Sequence, residues 1–170
     1  FETAARNARE MVRDYAGFRQ RAVSEGKTGD MKRVVFVPGT DPARAAELAA
    51  ALLRAGVEVS RTTATFSSSK ARSYTADGVA PRSFPTGSYV VDMAQPQGKV
   101  AKAVLEADPE LDPEFAKDVV SKFERNKQQS RNSNETEGYD FYDMTAWALP
   151  VTFGVEAYWT DDALAVQSTP

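Results

Sequence analysis

The sequence predicts an α/β fold, with a small mixed sheet and helices packed on it. Three stretches lead to this prediction. The run "VVFV" at 34–37 lacks polar alternation, which is typical of a strand buried on both faces. "DPARAAELAAALLRAG" at 41–56 has the apolar spacing of a helix, and "VEVSRTTA" follows it as a second strand. "SYVVDM" at 88–93 is a third strand, which leads through a short loop into another helix.

The first two strands and the helix between them are predicted to form one β-α-β unit with parallel pairing, the usual result of such a connection. Asp41 is placed to cap this helix, Pro42 suits its first position, and Gly56 suits the position just past its end. The turn sequences "ADG" and "FPTG", with strand-like pieces around Tyr74 and Phe84, predict an antiparallel excursion before the third strand.

The apolar and turn patterns divide the whole chain into three segments. Residues 1–24 follow one helical face until the two glycines of "EGKTGD" break the pattern, and such a face must pack against something. Residues 32–160 are predicted to form the α/β domain, in which Asp112 and Pro113 start a further helix. Residues 161–170 are predicted to be a linker or tail. The expected core consists of Val35, Phe36, Leu48, Leu52, Val57, Val59, Tyr89, Val91, Val104, Leu105 and Trp147.

The composition limits the chemistry that this chain can perform. Its 170 residues include no cysteine and no histidine, which excludes a thiolate nucleophile, a Ser-His-Asp triad, and zinc ligands of these two types. The formal net charge of −3 argues against a nucleic-acid partner. No apolar run approaches the ~20 residues needed to cross a bilayer. We therefore predict no metal ligand, no nucleic-acid partner and no membrane span, and any catalysis would have to rest on carboxylates, lysines, tyrosines or backbone dipoles.

The loop "AQPQG" after the third strand is the first candidate site. Amide N–H groups at the start of the following helix could attract an anion. Gln95, Gln97 and Gly98 would form the cradle, and Lys99 would add a positive charge. The alternative is that the loop only shapes a strand-to-helix corner, which we favour because no Walker or Rossmann glycine pattern is present. The loop in "PGTDPAR" at 38–44 has the same shape, but Asp41 would already occupy its helix start.

The aspartates of "YDFYDM", Asp140 and Asp143, are the second candidate site. Paired carboxylates can perform acid–base chemistry when burial raises the pKa of one of them. The simpler interpretation, which we favour, is that one aspartate caps a helix beginning at Met144 and the other is solvated.

Two longer stretches carry a resemblance to a known family. They are "GSYVVDMAQPQGKVAKAVLE" at 87–106 and "YDMTAWALPVTFGVEAY" at 142–158, preceded by "FETAARNAREMVRDYAGFRQRAV" and "VVFVPGTDPARAAELAAALLRAGVEV". In this order they resemble the region downstream of the catalytic domain in large bacterial zinc carboxypeptidases, relatives of carboxypeptidase A. The resemblance covers most of residues 1–160, and the first two stretches are its specific part.

The resemblance implies a noncatalytic accessory domain that supports or positions a peptidase domain or its substrate. In this family a His-x-x-Glu motif and a later His hold zinc in the catalytic domain. This chain has no histidine, so no catalytic residue or cofactor is transferred to it, and zinc is implied only for the parent enzyme. Residues 1–24 would be a helical connector from the upstream catalytic domain. The implied partners are neighbouring domains of the same polypeptide and a peptide-like substrate, and the implied location is periplasmic or extracellular.

Three hypotheses follow for the function of the chain. The first is the accessory domain of a zinc carboxypeptidase. The second is a small-molecule or anion-binding domain that uses the strand-loop-helix at 94–99. The third, ranked last, is a carboxylate-dependent enzyme that uses Asp140 and Asp143.

Overall fold

The computed structural model describes residues 1–107, 112–128, 148–162, 164 and 166–169. The chain divides into two compact units, one formed by Phe1–Ala107 with Ala146–Pro170 and the other by Asp108–Thr145. The described helices are α1 (Glu2–Thr28), α2 (Pro42–Arg54), α3 (Gly98–Leu105), α4 (Pro113–Gln128) and α5 (Leu149–Thr152). The described strands are β1 (Arg33–Phe36), β2 (Ser60–Thr62), β3 (Phe66–Ser73), β4 (Ala80–Phe84), β5 (Tyr89–Asp92), β6 (Ala157–Thr160) and β7 (Ser168–Thr169). Among these elements, α4 belongs to the second unit and the others to the first.

The strands form one sheet in the order β4-β3-β6-β1-β5-β2-β7. The α/β class predicted from the sequence is confirmed, but the described pairings are all antiparallel, so the predicted mixed sheet with parallel pairing is wrong. Strands β1 and β2 run in the same direction, because each pairs antiparallel with β5, which lies between them. The β-α-β unit is therefore split by β5. Its sequence pattern indicates strand direction, but it does not indicate which strand lies next to which.

The antiparallel excursion predicted between the second and third strands is confirmed. Strands β3 and β4 pair in register from Phe66 opposite Phe84 to Ala71 opposite Ala80, with an irregularity between Ser68 and Ala71. The rings of Phe66 and Phe84 stack with their centroids 5.0 Å apart. This hairpin continues the sheet through pairing of β3 with β6.

The sheet carries an apolar cluster on each face, because neighbouring residues of a strand point to opposite sides. The larger cluster lies between the sheet and helices α2 and α3, and includes Val34, Phe36, Leu48, Leu52, Val57, Val91 and Leu105. The smaller cluster lies on the opposite face, and consists of Val35, Val37, Phe66, Ala71, Phe84 and Val90. Of the predicted core residues that the structure describes, Tyr89 and Val104 are half-buried and the others are buried. Trp147 lies outside the described residues.

Helix α1 ends later than the predicted residue 24, because its glycine at 26 serves packing and does not break the helix. A Cβ at Gly26 would lie 2.1 Å from the carbonyl oxygen of Met93. Only a glycine allows the helix backbone to come this close to the chain after β5. Helix α1 is buried at Ala22 and continues to Thr28.

The ends of α2 and the start of α4 lie where the sequence predicts them. Gly56 follows α2 with φ of +78°, a conformation that favours glycine. Asp41 occupies the N-cap position of α2, but its carboxylate pairs with Arg44 at 3.1 Å and makes no capping hydrogen bond. Asp112 does cap α4, since its Oδ1 accepts from the backbone N–H groups of Glu114 and Phe115 at 3.0 and 2.9 Å.

The described part of segment 161–170 adds to the sheet and to its smaller apolar cluster. Strand β7 pairs with β2, and Leu164 and Val166 pack against the smaller cluster. Thr63 N donates to Gln167 O at 2.9 Å, which extends the pairing by one residue. In the described residues, no helix combines the length and the apolarity needed to cross a membrane.

Candidate functional site

The loop after β5 is held by internal hydrogen bonds, and the side chain of Gln95 makes three of them. Gln95 is 3% exposed, and both ends of its side-chain amide are used. Its Oε1 accepts from the backbone N–H of Glu58 at 2.6 Å, and its Nε2 donates to Glu58 O at 3.1 Å and to Asp92 O at 2.7 Å. The Gln95 side chain thus joins the segment before β2 to the end of β5.

The other three residues of the predicted anion cradle also make internal contacts. Gln97 Nε2 donates to the carbonyl that follows α2 at 2.9 Å. Gly98 N donates to a carbonyl within the loop at 2.8 Å. Lys99 Nζ pairs with the Glu25 carboxylate of α1, and this lysine lowers the pKa of Glu25. Anion binding by this loop stays a prediction, and an anion would have to compete with these contacts.

Helices α1 and α3 approach this corner at backbone distance. A Cβ at Gly98 would lie 2.3 Å from Met93 O, the same carbonyl that Gly26 of α1 approaches. Arg19 of α1 donates from Nη1 to Pro96 O at 3.0 Å. The loop "AQPQG" is therefore the junction of β5, α1 and α3.

The face of α1 that reaches this junction continues toward the N-terminus as exposed apolar surface. Three or four residues separate Met11, Tyr15, Phe18, Ala22 and Gly26, so they lie on one side of the helix. Ala22 is 2% exposed, whereas Met11 is 57%, Tyr15 60% and Phe18 38% exposed. We call Met11, Tyr15 and Phe18 the α1 stripe. The guanidinium of Arg19 lies over the Tyr15 ring, 4.8 Å from its centroid.

A cavity of about 240 Å³ opens on the sheet face opposite α2 and α3. Its lining comes from β1, β5, the segment through β2 and the C-terminal segment. The lining residues are Arg33, Glu58, Ser60, Val90, Asp92, Gln95, Leu164, Val166 and Ser168. Along β1, β5 and the segment through β2, the lining residues alternate with residues of the larger apolar cluster, which explains why polar groups can line this face.

Three charged side chains line this cavity, and two of them pair with each other. Arg33 and Asp92 are directly opposite in the β1–β5 register, and Arg33 Nη2 lies 3.0 Å from Asp92 Oδ2. Arg33 Nη1 also donates to Asp162 O at 2.7 Å. The Glu58 carboxylate makes no hydrogen bond or ion pair with the described part of the chain. Gln95 holds the backbone at both Glu58 and Asp92, so it fixes the two positions that carry carboxylates.

Sequence reasoning missed the charged residues of this cavity, although a signal for them exists. Arg33 directly precedes the buried run of β1, and Asp92 ends the buried run of β5. Glu58 lies between the buried Val57 and Val59. A charged residue inside or bordering a buried strand points to the opposite face of the sheet, where it needs a partner or solvent. Of the four predicted site residues, Gln95 lines the cavity.

A second polar cluster fixes the C-terminal segment to the irregular part of β3. The Asp162 carboxylate accepts from the hydroxyls of Ser68 and Ser69 at 2.8 and 2.9 Å, and from the backbone N–H groups of Ser69 and Lys70 at 2.6 and 3.2 Å. Hydrogen bonds from Ser68 and Ser69 hold the pKa of this carboxyl below its ordinary value. The Ser68 hydroxyl also bonds to the buried Thr160 hydroxyl at 2.9 Å.

The second candidate site, Asp140 and Asp143, lies outside the described residues. Over the described ranges, no group of three or more His, Cys, Asp and Glu side chains is placed to hold a metal ion.

Comparisons with protein-family models, with curated proteins and with solved structures found no match to this chain.

Proposed function

We propose that this chain is a noncatalytic accessory domain of a multidomain zinc carboxypeptidase, and that the α1 stripe packs against the neighbouring peptidase domain. The observation that carries the proposal is the burial along the apolar face of α1. This face is buried at Ala22 but exposed at Met11, Tyr15 and Phe18. Burying an apolar side chain of this size stabilises by ~1.5–3 kcal/mol. A long helix that exposes such a face is expected to cover it with another part of the assembly.

The sequence resemblance supports the same proposal from an independent side. Its most specific stretch, 87–106, forms β5, the "AQPQG" corner and α3. The C-terminal part of α1 packs against this stretch. The residues that resemble the family therefore also determine the orientation of α1 and of the α1 stripe. In the proposed parent enzyme, zinc and the catalytic residues belong to the peptidase domain, and this domain positions it or its peptide-like substrate. The proposed location is periplasmic or extracellular, as for the parent enzyme.

The α1 stripe can be tested by comparing the complete parent polypeptide with the 170-residue chain. We expect the double substitution Met11→Lys and Tyr15→Lys to leave the melting temperature of the short chain nearly unchanged, because exposed substitutions usually cost within about 0.5 kcal/mol. In the parent polypeptide the same change should lower stability by about 2–4 kcal/mol, because two buried contacts would be lost.

The matched control is the double substitution Leu53→Lys and Val79→Lys, which adds the same two charges at exposed apolar residues outside α1. This variant should behave alike in both polypeptides. A stripe variant that leaves the parent polypeptide unchanged would overturn the packing proposal. The family proposal has its own test: zinc-dependent peptidase activity of the 170-residue chain, or an upstream sequence without a His-x-x-Glu motif, would contradict it.

A small-molecule-binding function is the second candidate, and the cavity beside Gln95 favours it. Anion binding by residues 94–99 predicts a phosphate or carboxylate on the amides near Gln97 and Gly98, detectable by amide chemical-shift changes on phosphate titration.

A further inference from the structure

The cavity opposite α2 and α3 carries an excess of negative charge. Glu58 and Asp92 contribute two carboxylates to its lining and Arg33 one guanidinium. The guanidinium is already engaged by the Asp92 carboxylate at 3.0 Å and by Asp162 O at 2.7 Å. The Glu58 carboxylate has no partner in the described part of the chain. Glu58 is an exposed residue of the cavity lining, so its carboxylate is open both to solvent and to a ligand in the cavity.

The opposite part of the cavity is apolar. Val90 of β5 lines it together with Leu164 and Val166 of the C-terminal segment, and these residues also belong to or pack against the smaller apolar cluster. Apolar walls next to a free carboxylate suit a ligand with an alkyl portion and a positively charged end. The volume of about 240 Å³ is below the ~300–1,000 Å³ of sites for drug-sized molecules, so the ligand must be small.

The backbone that carries the two carboxylates is held in place before any ligand arrives, and the Asp92 carboxylate is also bonded. Gln95, buried and bonded at both ends of its amide, ties the backbone of Glu58 to that of Asp92. Asp92 Oδ1 accepts from Ala94 N at 2.8 Å, which orients the second carboxylate. Preorganised groups lose little conformational freedom on binding, so even a small ligand can be held.

From these contacts we propose that the cavity binds a primary ammonium group on a short alkyl chain, the chemistry of a lysine side chain. The ammonium lies against Glu58 and Asp92, and the alkyl chain lies along Val90, Leu164 and Val166. The Asp92 carboxylate and the Arg33 guanidinium largely neutralise each other, so an anionic ligand would meet the free charge of Glu58 and is disfavoured. This inference goes beyond the accessory function proposed above, and the test below does not depend on α1.

Titration of the 170-residue chain with Nα-acetyl-lysine amide, followed by amide NMR, tests the proposal. We expect saturable shifts at Val90, Leu164 and Val166. Nα-acetyl-norleucine amide, which keeps the alkyl chain but lacks the charge, should bind at least several-fold more weakly. Binding should weaken as NaCl is added, because salt screens exposed charge pairs. Pentylamine separates two sources of the ligand: equal binding indicates a free amine, and weaker binding indicates a lysine residue of a peptide.

The decisive variant is Glu58→Gln, which removes the unpaired charge but keeps the side-chain length. Its fold should be retained, since Gln95 bonds only to the Glu58 backbone. We expect affinity for the ammonium ligand to fall about threefold to tenfold, typical for loss of one charge in a partly exposed pair. The matched control Glu47→Gln, on the exposed surface of α2, should bind as the unchanged chain does. Equal binding by Glu58→Gln, no saturable shift, or tighter binding of Nα-acetyl-glutamate amide would overturn the proposal.

Discussion

The two faces of the sheet are built from different chemistry. The face under α2 and α3 carries the larger apolar cluster, and Val34, Phe36 and Val91 on it are 0% exposed. The opposite face has a smaller apolar cluster, and beside it lie the charged cavity and the Asp162 cluster. The first face is closed by helices, whereas the second is closed by a hairpin and by the C-terminal segment.

This difference indicates that one face of the sheet stabilises the fold, whereas the other face offers polar groups to a ligand. The helix face gains its stability from apolar burial, which tolerates no uncompensated charge. The opposite face is held partly by side-chain hydrogen bonds to backbone, from Gln95 and to Asp162. Side chains there remain within reach of solvent, so this is the face on which a ligand or partner can meet polar groups.

The largest expected effect comes from placing the same charge on the two faces of β5. We expect Val91→Asp to abolish folding, because a carboxylate buried without a partner costs more than the ~5–15 kcal/mol that stabilises a typical domain. Val90→Asp, one residue earlier, replaces a side chain that is 7% exposed but borders the cavity, where the carboxylate can reach solvent, so this variant should fold with a markedly lower melting temperature. Circular dichroism and thermal melting distinguish the two variants.

Equal melting temperatures for the Val91→Asp and Val90→Asp variants would contradict the claim that the two faces of the sheet differ in their tolerance of a charge. An unchanged melting temperature for Val91→Asp would show that β5 is placed wrongly.

A smaller effect is expected from the hydrogen bonds that support the cavity face. Gln95→Leu keeps the approximate shape of the side chain but leaves the backbone groups of Glu58 and Asp92 without their partners. Unsatisfied buried groups of this kind cost ~1–3 kcal/mol, which chemical denaturation can measure. Gln97→Leu is the matched control, because Gln97 makes a single side-chain hydrogen bond and is more exposed.

We expect Gln97→Leu to change the free energy of unfolding by less than about 1 kcal/mol. Equal losses for the two glutamines would mean that Gln95 has no special role in fastening the corner.

The helix face could be predicted from the sequence because its signal is local. Runs such as "VVFV" and the periodic apolar residues of α2 identify buried positions without knowledge of partners. The pairing of β1 with β5, and not with β2, could not be predicted, because strand order depends on contacts between residues far apart in sequence. The cavity was missed for the same reason: Arg33 and Asp92 are 59 positions apart in the numbering (92 − 33), and they meet only through that register.

The smallest expected effect is a pH dependence on the polar face, at Asp162. Hydrogen bonds from Ser68 and Ser69 lower the pKa of its carboxyl in the folded state. The unfolded chain therefore binds more protons between the folded pKa and the ordinary value of 3.8, and the free energy of unfolding falls as pH decreases through this window. Above this pH window, the stabilisation by Asp162 is fully present.

The native chain and the Asp162→Asn variant can be compared by urea denaturation. We expect a constant difference in the free energy of unfolding from about pH 7 to 5, and this difference should shrink below about pH 4. Asp77→Asn, which removes the same charge in the exposed turn between β3 and β4, should show a much smaller difference across this range. A stability difference that persists unchanged at pH 2–3 would mean that the Asp162 charge does not hold the C-terminal segment to β3, and that neutral hydrogen bonds suffice on this face.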